Sequence, residues 1–100
     1  MIKHIVMWKL KTQANGIFKK ENMALMKERL EALNGKIPGM IRLEVGSDFS
    51  AGRDSYDIVL YSEFETRNDL TSYLNHPEHK KIMPFVAEVR EDRKSVDYEV

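Results

Sequence analysis

Ile2-Lys3-His4-Ile5-Val6-Met7-Trp8-Lys9-Leu10 alternates as a β-strand does, and it is apolar on both sides. Ile2, His4, Val6, Trp8 and Leu10 form one row; Ile5 and Met7 form the other, flanked by Lys3 and Lys9. Tyr56 to Phe64 has the same character, with Ile58 and Leu60 opposite Val59 and Tyr61. Strands of this kind belong in the middle of a sheet, covered from above and below. Met40–Gly46 and Ser95–Val100 carry only one apolar row each, against Arg42, Glu44, Asp97 and Glu99, and read as edge strands.

Between the strands the period changes from two to three and four. Met23, Met26, Leu30 and Leu33 fall on one face of a helix spanning about Phe18 to Asn34, after an Asn15-Gly16 turn. Gly35 is placed as its left-handed cap and Pro38 prevents its continuation. A turn-rich loop, Ser47 to Asp54, joins the second and third strands. Thr66 with Asp69 three residues later opens a second helix carrying Leu70, Tyr73 and Leu74. Pro77 interrupts it. Helical spacing resumes with Ile82, Phe85, Val86 and Val89, and Pro84 predicts a break nearby.

The order strand, helix, strand, strand, helix, strand predicts a ferredoxin-like βαββαβ fold of the α+β class. Its antiparallel four-stranded sheet would carry the helices on one face, in a single domain over residues 1–100. The helices cover one face only. The second face, with Met7 and Leu60 assigned to it, is left to a second copy of the chain, so a homodimer with sheets packed face to face is expected.

Composition narrows the function classes. In 100 residues, 16 Lys and Arg balance 16 Asp and Glu, which argues against a nucleic-acid or anionic-membrane binder. The absence of Cys excludes a disulfide frame, a thiolate nucleophile and Cys-based metal sites. The longest apolar run, Ile82 to Ala87, is far short of a membrane span of about 20 residues. The N-terminus enters a strand directly, so a cytoplasmic protein is expected. An RNA-binding domain shares this element order but requires basic and aromatic residues on the third strand, which here holds Asp57 and Glu63 and no Lys or Arg.

Several segments together resemble the stress-responsive A/B barrel (Dabb) family. They are Ile2 to Leu10, Lys36-Ile37-Pro38-Gly39 leading into Leu43-Glu44-Val45-Gly46, Tyr56 to Leu60, Tyr73-Leu74-Asn75-His76-Pro77-Glu78-His79, and Val96-Asp97-Tyr98. The resemblance implies a dimeric α+β barrel related to olivetolic acid cyclase-type proteins, which need neither metal nor cofactor. It implies His79 as a base and Tyr73 as the group that holds and polarises a substrate carbonyl. It also implies His4 at the border of a pocket between sheet and helices. The resemblance implies a pocket His, as in the olivetolic acid cyclase-type proteins, where this chain has Asp57, a departure that changes the electrostatics of the expected pocket.

The chemistry of these residues supports the same reading. Proton removal beside a carbonyl needs a base that ionises near neutrality, and an imidazole does so. The developing enolate needs a donor, and a phenol is one. His4, Val6, Trp8, Asp57 and Val59 are expected to contact the ligand. Alternatives stand beside these roles. His4 can be a core residue bonded to a backbone carbonyl, and Trp8 can be plain core. Asp57 can orient His4 or His79, or sit in water at a strand entrance. His76 precedes Pro77 and is expected to cap a helix. His76 and His79 lack a third strong ligand in sequence beyond a distant His4, so no metal is expected. Three functions follow: a small-molecule binder or cofactor-free cyclase or lyase for an apolar phenolic or carbonyl compound, a non-catalytic stress or structural dimer, and a cofactor-free monooxygenase on the same fold.

Overall fold

A computed structural model describes residues 1–100. In chain order the elements are β1 (Ile2–Leu10), β2 (Gln13–Ala14), β3 (Ile17–Phe18), α1 (Lys19–Glu31), β4 (Met40–Ser47), β5 (Ile58–Phe64), α2 (Arg67–Asn75), α3 (Pro77–Lys80), α4 (Met83–Val89) and β6 (Arg90–Glu99). The main sheet has the order β4-β5-β1-β6, and every neighbouring pair is antiparallel. The fold is therefore ferredoxin-like α+β, with the doubly apolar strands β1 and β5 in the centre.

Local chemistry sets the boundaries. Asn15 and Gly16 both have positive φ, 55° and 74°, as a two-residue primed turn requires, and they form the small β2–β3 hairpin. The hairpin takes Phe18 out of the expected helix and leaves it as the N-cap of α1. The buried Asn22 fastens the hairpin to α1 by donating to the Ala14 and Ile17 carbonyls. Gly35, at φ 81°, follows the end of α1. Gly39, at φ 79°, is also constrained by its surroundings: an added Cβ would stand 2.2 Å from Cγ of Asp69. The exposed edge of β4 is satisfied by the end of α1 and the turn after it, since Asn34 bonds both backbone groups of Leu43 and Glu31 accepts from Val45 N. Such pairing blunts one sheet edge.

The helical region after β5 is divided at its prolines. Thr66 accepts from Asp69 N and caps α2. His76 accepts from Glu78 N at 3.1 Å and caps α3, the structural role expected of it. Pro84 occupies the first turn of α4, where a missing N–H costs nothing, so the break lies just before it.

Three expectations are corrected. The last strand starts at Arg90, not Ser95, because Arg90-Glu91-Asp92-Arg93-Lys94 pairs with β1 despite its loop-like charge. Ile41 is 47% exposed, because an irregularity between Met40 and Arg42 removes it from the row of Leu43 and Val45. The faces of β5 are the reverse of those assigned. Val6 pairs with Leu60 and Met7 with Val59, so Leu60 lies under the helices and Val59 on the open face. Both rows of β5 are apolar, and only its register against β1 determines which is which.

The core lies between the sheet and the helices. Phe64, Met26 and Val89 are fully buried there, with Leu30, Leu33 and Tyr73 nearly so. The opposite face has no cover. Ile5, Met7, Val59, Tyr61, Val96 and Tyr98 form its apolar centre across three adjacent strands, since Val96 pairs with Ile5 and Tyr98 with Lys3. No helix is long and apolar enough to cross a membrane.

Candidate active site

A cleft of about 380 Å³ opens between the covered sheet face and the helices. Val6, Trp8 and Leu60 form its floor, and Leu30 of α1 and Leu74 of α2 close two sides. Met83, Val86 and Ala87 of α4 form a further wall. The polar groups are His4, Tyr73, His79, Arg90 and Arg93. A small volume of this kind, mostly apolar with a few convergent polar groups, has the form of a ligand site.

Tyr73 is the centre of the polar cluster. It lies on the buried side of α2, in the last turn of the helix, and after the Pro77 break His79 of α3 stands beside it. The two rings are 4.5 Å apart between centroids. His4 meets the other side of Tyr73 edge-on at 6.2 Å, and Phe64 supports the ring from below at 5.2 Å. Burial pushes the Tyr73 phenol far above its ordinary value, so it stays a proton donor at any physiological pH.

His79 is held in the opposite sense. Burial lowers its ionisation below the ordinary imidazole range, and the charges of His4 and Arg93 add to the fall, while the Leu74 backbone opposes it. Its Nδ1 is buried without a hydrogen-bond partner. A neutral imidazole with a free ring nitrogen beside an apolar cleft can bind a ligand proton or remove one. The indole Nε1 of Trp8 is likewise buried and unpartnered.

His4 has a partner that sequence reasoning did not supply. Its Nδ1 donates to Oδ1 of Asp97 at 2.5 Å. The two residues stand directly opposite in the β1–β6 ladder. Asp97 thereby fixes the ring orientation and, in the neutral ring, leaves Nε2 as the acceptor. The available signal was strand pairing: once β6 is set against β1, residue 97 falls opposite residue 4.

The structure thus brings His4, Val6, Trp8, Tyr73 and His79 to one cleft, and places Asp57 and Val59 elsewhere. Oδ2 of Asp57 accepts from Leu10 N at 2.8 Å and pairs with Lys19 at 3.3 Å, so it ties the end of β1 to the start of α1. It orients neither His4 nor His79. Val59 is on the open face for the register reason given above. Arg90, Arg93 and the α4 residues join the cleft without having been expected. No three His, Cys, Asp or Glu side chains converge anywhere.

A ferredoxin-like domain with an apolar cleft between sheet and helices, lined by His and Tyr, defines the class. The chain belongs to the stress responsive A/B barrel domain (Dabb) family, whose profile matches residues 2–100. No curated protein matches it in sequence. Among solved structures it is similar to a dimeric protein of unknown function and ferredoxin-like fold from Bacteroides fragilis. That likeness has 38% identity over 99% of this chain and 95% of the other, with a TM-score of 0.83. A dimeric ferredoxin-like protein of unknown function from Thermobifida fusca is 19% identical over 99% and 90% of the two chains, with a TM-score of 0.84. The hydroxynitrile lyase of Passiflora edulis is 16% identical over 99% and 92%, with a TM-score of 0.83, a likeness of fold alone.

Proposed function

We propose that the chain acts as a homodimer joined through its open sheet faces, each protomer offering its cleft to a small apolar compound that contains a carbonyl. In the cleft His79 removes a proton beside the carbonyl and the Tyr73 phenol donates a hydrogen bond to the enolate oxygen. His4, oriented by Asp97, is a second imidazole lining the cleft beside them. The observation that carries this reading is the contact of His79 with Tyr73, in which burial keeps one ring neutral and the other protonated. Base and donor are thus already in the forms that proton abstraction needs. A packed interior would favour a purely structural dimer; the open cleft favours a ligand. The dimer rests on the bare apolar face and on the dimeric Bacteroides fragilis relative.

The test is the exchange of the α-hydrogens of phenylacetone into D2O, followed by proton NMR. The protein should accelerate exchange over buffer, His79→Ala should lose about 10²-fold or more of the acceleration, and Tyr73→Phe should lose less. Exchange at the buffer rate, or an undiminished rate in His79→Ala, would overturn the assignment.

A further inference from the structure

The cleft-side row of β6 is polar, whereas the helix-facing rows of β1 and β5 are largely apolar. Arg93 stands opposite Trp8, Ser95 opposite Val6 and Asp97 opposite His4. Asp97 is occupied by His4. Arg93 reaches only Oγ of Ser95, at 3.4 Å. None of the five ion pairs of the protein involves Arg90 or Arg93.

Plain alternation would put residues 90 and 93 on opposite faces. The register shifts by one residue between Lys9 and Leu10, and the extra residue in β6 brings both guanidiniums to the cleft. Bulges that re-aim a side chain in this way are frequent beside functional sites. Two guanidiniums and two imidazoles line the cleft, and no carboxylate does. A guanidinium is a planar fork that matches a carboxylate through two parallel hydrogen bonds. Apolar walls strengthen that attraction relative to open water.

We propose that the cleft takes an amphipathic carboxylate, its anionic head held by Arg90 and Arg93 and its apolar body lying against Val6, Trp8 and Val86. The inference rests on the cleft being a ligand site and adds the charge class of the ligand. Both arginines are exposed, so they stand where a ligand enters and can hold its head in partial contact with water. The buried N–H of Trp8, without an acceptor of its own, is a further donor on a residue of the floor.

The test is calorimetric titration with a matched pair of probes, naphthalene-2-carboxylate and naphthalene-2-carboxamide, which differ in charge and hardly in shape. The folded protein should bind the carboxylate roughly tenfold tighter than the amide. The double variant Arg90→Gln, Arg93→Gln should bring the two within about twofold, the carboxylate losing far more than the amide. Ala87→Trp, which narrows the cleft from an exposed wall position, should weaken both probes. Equal binding of the two, or a preference that survives in the double variant, would overturn the charge assignment and leave the cleft as a ligand site. Failure of both probes to bind at millimolar concentration would overturn both readings.

Discussion

Along β5, residues alternate between two environments. Ile58, Leu60, Ser62 and Phe64 lie beneath the helices, each 2% exposed or less. Val59, Tyr61 and Glu63 look out from the open face and are half-buried in the isolated protomer. The covered face is closed by the chain's own helices except over the cleft, where His4, Tyr73 and His79 gather. The open face has an apolar centre on three strands and a charged rim that includes Lys3, Lys9, Arg42 and Glu44. An apolar centre with a polar rim is the usual anatomy of a protein interface. The same period of two thus lines a cleft on one side and leaves a bare apolar surface on the other.

The largest effect should come from charging the open face. Val59→Asp would bury an unpaired carboxylate in each half of the interface, at a cost of about 3 to 5 kcal/mol per charge. Analytical ultracentrifugation at micromolar concentration should then show monomers where the unaltered chain shows dimers. A dimer that persists in Val59→Asp would break the comparison, because the open face would then have no part in association.

One strand position on the covered face should behave differently. Phe64→Ala removes the ring below Tyr73 and should lower stability by about 3 to 5 kcal/mol in urea titration, through lost burial and the cavity left behind. It should leave association through the open face intact. Gly39→Ala sharpens the contrast between packing and backbone. It combines a positive φ with a clash against Asp69, for a loss of about 1 to 3 kcal/mol, with no change in oligomeric state.

The smallest effect concerns pH. The folded chain holds His79 below its ordinary ionisation, so the unfolded chain binds the proton more readily. Stability contributed by the neutral ring is present above about pH 6.5, the unfolded value, and is lost as pH falls from there toward the lowered folded value. Thermal melts between pH 5 and 8 should show this slope, and His79→Gln should flatten it.

The sequence makes the architecture legible because its main signals are local and agree with one another. Alternation in β1, helical spacing from Met23 to Leu33, the Asn15-Gly16 turn and the capping Thr66 all favour one topology. It also makes His4, Trp8, Tyr73 and His79 legible as companions, once the helices are known to cover the row that begins with Ile2. The phase of β5 was not legible, because a strand apolar on both sides carries no internal mark of its inner face. Asp97, Arg90 and Arg93 escaped for another reason. Charges on an exposed edge strand look like solvent-facing residues until the ladder to β1, including its one-residue slip, shows which of them turn toward the cleft. Asp57 shows the limit of reading a site from a single position, since its carboxylate is consumed by Leu10 N and Lys19.

The most direct test of the cleft as a base-bearing site is a carbon-detected NMR titration of the His79 ring in the intact protein. An ionisation below the ordinary imidazole value of about 6.5 is predicted, moving upward when Arg93→Gln removes the nearby positive charge. A His79 ring that titrates at or above 6.5 and ignores Arg93→Gln would contradict the account.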